Sequence, residues 1–167
     1  PLTCTWSPFL YTDYGLRNFN NWLAIGGHDN VSFRPNGEIM KLLTKLSIQN
    51  LFHPFQTFIL GQKNLPPKIA KQYNIDLIFY GENEAEYGNP KKNFAQSIRE
   101  NKYFAAKNYN NIFLAGTSLK ELDSKHNLKI KDLKPFLPIV ENDVRDNNLE
   151  IHYLGYYLKW IPQEAYY

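Results

Sequence analysis

Residues 76–80, Asp76-Leu77-Ile78-Phe79-Tyr80, form a short continuous apolar run held between Asn74 and Gly81. A run of this length without polar alternation, closed by turn formers, is the pattern of a strand buried on both faces of a parallel sheet. Upstream, Asn64 followed by Pro66-Pro67 reads as a helix start with Ile69, Ala70 and Tyr73 on its buried face. A separate helical period, Phe55, Phe58 and Ile59, runs up to Gly61. Before it, Ile39, Leu42, Leu43 and Leu46 make an i, i+3, i+4, i+7 stripe that Pro54 brings to a stop. Leu16, Phe19 and Leu23 recur at helical spacing until Gly26-Gly27, and two strand candidates, 30–33 and 2–6, flank that helix. Strands alternating with amphipathic helices predict βαβ units and a three-layer α/β fold.

Downstream of the central run, 81–118 is rich in Asn, Lys, Glu and Tyr with weak periodicity and is expected to be an insertion or lid. Ser118 with Glu121 is a capping-box signature for a short helix, and 130–137 predicts another brief helix ended by Pro138. The run from Ile151 to Trp160 is strand-like, so the expected sheet contains 2–6, 30–33, 76–80 and 151–157. All of 1–167 is expected to belong to one domain, since a chain of this length supports one core.

Composition removes several function classes. With 43% hydrophobic and 16% aromatic residues against 21% charged, the chain is too apolar to stay disordered. A formal charge of +3 falls short of the clustered excess that binds a phosphate backbone, so no nucleic-acid partner is expected. Cys4 is the single cysteine, which suits a reducing cytoplasm and leaves no cysteine pair for a disulfide or zinc cluster. No apolar run approaches the roughly 20 residues that span a bilayer, so no membrane insertion is expected. The chain opens on Pro1 in a strand-like run and stops at Tyr167 without a polar tail, and is expected to be a piece of a longer protein.

In a parallel sheet, ligands sit at the carboxyl ends of the strands, which here end at Trp6-Ser7, Gly81-Glu82-Asn83 and Lys159-Trp160. The segment Gly81–Gly88, with three acids after a buried strand, is either a magnesium site or a solvated acidic loop. Gln62 and Lys63 lie where backbone amides and an ammonium could hold an anion, or are surface residues at a helix terminus. His53, in LFHPFQ, is a general-base candidate or a structural histidine at a helix break. Tyr153, Tyr156, Tyr157 and Trp160 could stack on a sugar or base, although strand alternation makes half of them core. There is no Gly-rich phosphate loop, no G-x-S-x-G and no H-E-x-x-H.

Four ordered blocks carry a resemblance through nearly the whole chain: PLTCTWSPFLYTDYGLRNF at 1–19, LFHPFQTFILGQKNLPPKIA at 51–70, DLIFYGENEAEYGNP at 76–90 and LGYYLKWIPQE at 154–164. Together they resemble the N-acetyl sugar amidotransferases of bacterial lipopolysaccharide O-antigen and flagellin-glycan synthesis. That resemblance implies a doubly wound fold of the N-type ATP pyrophosphatase kind. It also implies a cytoplasmic enzyme that uses ATP and Mg2+ to turn the acetamido group of a nucleotide-linked sugar into an acetamidino group. The amide oxygen is adenylated with loss of pyrophosphate, and ammonia from a separate glutaminase subunit then displaces AMP.

The same resemblance implies site residues. Thr5 and Trp6 would lie beside the adenosine, while Gln62 and Lys63, read from their place near a helix entrance, are the candidates for phosphate contacts. Gly81, Glu82 and Asn83 would form the motif after the central strand, with Glu82 holding magnesium or the sugar amide and Asn83 orienting the reacting group. Tyr87, Lys159 and Trp160 are the candidates for the sugar or lid side. The sequence departs from the family in lacking its S-G-G-x-D-S phosphate loop, its first strand resembling the family's second. The chain by itself is therefore not expected to complete the reaction. A tRNA-thiolating enzyme of the same fold would call for paired cysteines and a basic face, and a non-catalytic sugar- or nucleotide-binding module would lack the phosphate loop altogether.

Overall fold

A computed structural model describes residues 1–81, 97–142, 148–159 and 161. The chain is mixed α/β with small parallel sheets. Strand β1 (Leu2–Trp6) leads through α1 (Asp13–Gly26) to β2 (Asp29–Phe33). Thr12 starts α1 by accepting the Gly15 N–H on its hydroxyl, four residues before the apolar period begins at Leu16, and Gly27 ends it at φ 62°, a left-handed conformation suited to glycine. Asn36 caps α2 (Gly37–Leu51) by accepting the N–H groups of Glu38 and Ile39 on Oδ1. Helix α3 (Gln56–Tyr73) follows, then β3 (Leu77–Tyr80).

The remaining elements are short. They are β4 (Ala105–Ala106), β5 (Phe113–Leu114), β6 (Thr117–Ser118), α4 (Leu119–His126), α5 (Ile130–Leu133), β7 (Ile139–Val140) and β8 (Glu150–Tyr153). Ser118 caps α4 as its spacing to Glu121 predicts, accepting the Glu121 N–H at 3.2 Å. β1 pairs with β2 and β3 with β8, both parallel; β4 and β7 pair in parallel over two residues, and β5 and β6 form an antiparallel turn.

Four expectations are corrected. The strands expected in one sheet form separate pairs among the described residues, with β3 paired to β8 alone. Nor is β3 buried on both faces, since α3 covers Ile78 and Tyr80 while Leu77 and Phe79 remain 47% and 50% exposed. The two helices expected around Gly61 and Pro66 are one, α3, running through Pro66 and Pro67. The strand expected over 151–157 stops at Tyr153 and gives way to a helical turn, Leu154–Tyr157, which folds Tyr157 back so that its hydroxyl lies 2.6 Å from His152 Nδ1.

Residues 97–118, which fall in the segment expected as an insertion or lid, supply buried side chains to both cores. Phe104 and Leu114 are 1% exposed, and Arg99 N–H donates to Ile151 O while Ser97 O accepts from Tyr153 N–H along the outer edge of β8. Residues 82–96 of that segment lie outside the described residues. Two apolar cores result. The larger gathers Trp6, Leu43, Leu65, Leu122 and Phe136, the smaller Ala70, Phe104, Ile139 and Ile151, and α3 supplies both. Among the described residues no helix is long and apolar enough to cross a membrane.

Candidate functional site

The site is built on a local defect in α3. Proline has no N–H, so Pro66 and Pro67 leave the carbonyls of Gln62 and Lys63, four residues earlier, without their helical donors. The Lys63 carbonyl accepts instead from the Tyr80 hydroxyl at 2.7 Å, which ties the carboxyl end of β3 to α3. Two residues earlier Gly61 lets the Trp6 ring, at the carboxyl end of β1, lie directly on the helix backbone. Both strands therefore end against the same stretch, 61–63, and between them opens a cleft of about 850 Å³.

Thr5, Trp6, Gln62, Lys63 and Gly81 all line this cleft. Thr5 Oγ1 accepts from Asn30 Nδ2 at 3.0 Å, which fixes the hydroxyl and leaves its proton to donate. Trp6 is 5% exposed and packs on Phe33 and Phe136, so it serves the core as well as the cleft wall. Gln62 and Gly81 are exposed and Lys63 is half-buried. Lys159 is exposed and does not line the cleft. Glu82, Asn83, Tyr87 and Trp160 lie outside the described residues, so the expected magnesium ligand and sugar contacts are not placed. Among the described residues no group of three His, Cys, Asp or Glu side chains could hold a metal.

Arg99 lines the cleft too, and sequence reasoning missed it. It is 5% exposed, donates from Nη2 to Tyr103 O at 3.0 Å and lies 5.8 Å from the centre of the Tyr80 ring. Nothing in its flanking residues marks it, because only the antiparallel pairing of 97–99 with β8 brings it beside β3. Burial pushes the Cys4 thiol up to about 11 and drives the Tyr80 phenol higher still, against the opposing pull of Arg99, so both are neutral at pH 7.

The described lining contains Lys63 and Arg99 but no Asp, Glu or His. Such a wall attracts anions and offers no general base of its own. His53 is exposed at the helix break, where its Nδ1 accepts the Phe55 N–H at 3.3 Å, and does not line this cleft. Gln56 is likewise structural, its Oε1 accepting the Ala115 N–H at 3.1 Å. A smaller cleft of about 430 Å³, between Ser7, Arg34, Lys41 and Thr44, lies beyond the ends of β1 and β2. No known family profile matches the chain, and no curated protein matches it.

Proposed function

We propose that this chain is part of an ATP-dependent N-acetyl sugar amidotransferase with the doubly wound N-type ATP pyrophosphatase fold, acting in the cytoplasm on a nucleotide-linked sugar. One observation carries the reading. The five nucleotide candidates Thr5, Trp6, Gln62, Lys63 and Gly81 share one cleft between β1 and β3, and the described wall of that cleft holds two basic side chains and no acid.

Within the proposal, the Lys63 ammonium and Arg99 guanidinium draw the triphosphate to the rim, where Arg99 presents paired donors to phosphate oxygens. The Thr5 hydroxyl, held by Asn30, donates to the nucleotide. The hydrogen bond from Tyr80 to the Lys63 carbonyl holds the rim at a set width. ATP supplies the adenylyl group that makes the amide oxygen a leaving group, and the ammonia comes from a glutaminase partner. Glu82, which lies outside the described residues, would hold the magnesium.

The test is pyrophosphate release by the natural-length protein with ATP, Mg2+, ammonium salt and UDP-linked N-acetyl sugars. Release should require the acetamido sugar, and Glu82→Gln should remove most of it while the thermal melt stays unchanged. Lys63→Ala should raise the KM for ATP about tenfold, roughly 1.4 kcal/mol of lost phosphate contact. Sugar-independent release, or turnover of Glu82→Gln within about twofold of the parent, refutes the respective assignment.

A further inference from the structure

β1 and β2 end side by side, with Trp6 opposite Phe33 and the Ser7 N–H donating to Phe33 O at 2.9 Å. The segments that follow them, 7–9 and 34–35, therefore leave the pair at one edge, the carboxyl edge at which parallel strands present ligand sites. With the first two turns of α2 they line the cleft of about 430 Å³, a volume within the range of about 300–1,000 Å³ usual for small-molecule sites. This cleft is separate from the larger one. Trp6 lines the first and Ser7 the second, and no residue lines both.

The chemistry of the second cleft is that of an anion site with an apolar wall. Gly37, Lys41 and Thr44 recur at helical spacing on one face of α2, and Arg34 joins them from the end of β2. Among the described residues neither Arg34 nor Lys41 makes a salt bridge, and the lining holds no acid. Gly37 is the first residue of the 15-residue α2, so the positive end of that helix adds to the two cations. Thr44 Oγ1 is buried without a hydrogen-bond partner among the described residues, which leaves its proton for an incoming oxygen. Phe9 supplies the apolar wall. Its ring stacks on Phe58 with centroids 5.6 Å apart and stays 46% exposed, so one face is fixed and the side chain still offers surface to a planar group. Pro8 and Pro35, one on each side, fix the backbone and lower the entropy lost on binding.

We propose that this second cleft binds a nucleoside diphosphate, with its base on Phe9 and its phosphates between Arg34 and Lys41. An inorganic anion would leave the Phe9 wall unused, and an apolar ligand would cover two unpaired cations at a cost in desolvation. The identity of this ligand as the nucleotide end of the sugar substrate rests on the function proposed above; the site itself does not. On that function Trp6 and Ser7, adjacent in the chain, face one substrate each.

Calorimetric titration of the 167-residue chain with UDP tests the site, with uridine and inorganic pyrophosphate as partial ligands. UDP should bind at a single site per chain, at least about tenfold more tightly than either partial ligand. Arg34→Ala and Lys41→Ala should each weaken UDP at least about fivefold through loss of a charged hydrogen bond. Their thermal melts should not change, because both side chains are exposed. Phe9→Leu should weaken UDP and leave pyrophosphate unchanged. Lys63→Ala, in the first cleft, should keep UDP affinity within about twofold of the parent. Four outcomes overturn the proposal: no binding at millimolar UDP, equal affinity for UDP and pyrophosphate, unchanged UDP affinity in both Arg34→Ala and Lys41→Ala, or a loss in Lys63→Ala as large as theirs. The last would place UDP in the first cleft. Failure of sugar-dependent pyrophosphate release refutes the amidotransferase reading, while these titrations still decide the site.

Discussion

A β-carbon on Gly61 would fall inside the Trp6 indole, against ring atoms that are themselves packed on Phe33 and Phe136. In an open helix, alanine for glycine adds up to about 1 kcal/mol of stability. Here overpacking outweighs that gain, and Gly61→Ala should cost about 1–3 kcal/mol by urea unfolding. A stabilised variant would mean that Trp6 is not seated on α3. At Lys68 the sign is set by charge. Its ammonium donates to the carbonyls of Lys134, Pro135 and Leu137, which favours the cation. Burial and the nearby Lys134 act the other way and pull the group from 10.5 down to about 8. Between those values the unfolded chain binds more protons than the folded one, so stability should rise with pH from about 8 towards 10.5. Urea midpoints of the parent and Lys68→Met should therefore diverge over that range, the parent gaining; a constant offset would contradict the assignment.

At the scale of the element, α3 survives two consecutive prolines because a distant side chain supplies one of the donors they lack. Tyr80→Phe removes the donor to the Lys63 carbonyl and should cost about 1–3 kcal/mol, the penalty for a buried polar group left unmatched. Pro67→Ala restores a backbone N–H four residues from that carbonyl. In the Pro67→Ala background Tyr80→Phe should therefore cost less, with a coupling of at least about 0.5 kcal/mol in a double-mutant cycle. Additive losses would show that the helix, and not Tyr80, already satisfies Lys63.

Across the whole molecule the β1–β2 pair belongs to the larger core and the β3–β8 pair to the smaller, with α3 packed on both. No backbone ladder joins the two pairs among the described residues. Ile151 is fully buried in the smaller core, so Ile151→Ala should cost about 2–5 kcal/mol. Its effect should be uneven. Peptides covering 77–80 and 150–153 should lose exchange protection while 3–7 keeps most of it, because the ladders open independently. Equal loss in both would show that α3 couples them into one cooperative unit.

The sequence by itself determined the elements whose causes are local. Strand 2–6, the strand ending at Phe33, the α2 stripe, the start of α4 at Ser118 and the left-handed stop at Gly27 follow from alternation, helical period and cap chemistry within a few residues. What depended on distant partners was decided only by the tertiary structure. Pro66 and Pro67 read as a helix start because their missing N–H groups break a ladder, and the compensating Tyr80 hydroxyl comes from another element. The aromatic run after Tyr153 reads as strand, yet the turn at Leu154–Tyr157 brings Tyr157 onto His152 and Phe79. The same division holds at the cleft. Thr5, Trp6, Gln62, Lys63 and Gly81 could be named from their places in the sequence, but their sharing one cavity depends on how two strand pairs sit on α3. Arg99 shows the limit most clearly, since its place beside Tyr80 comes from pairing of 97–99 with β8, a contact that no nearby residue encodes.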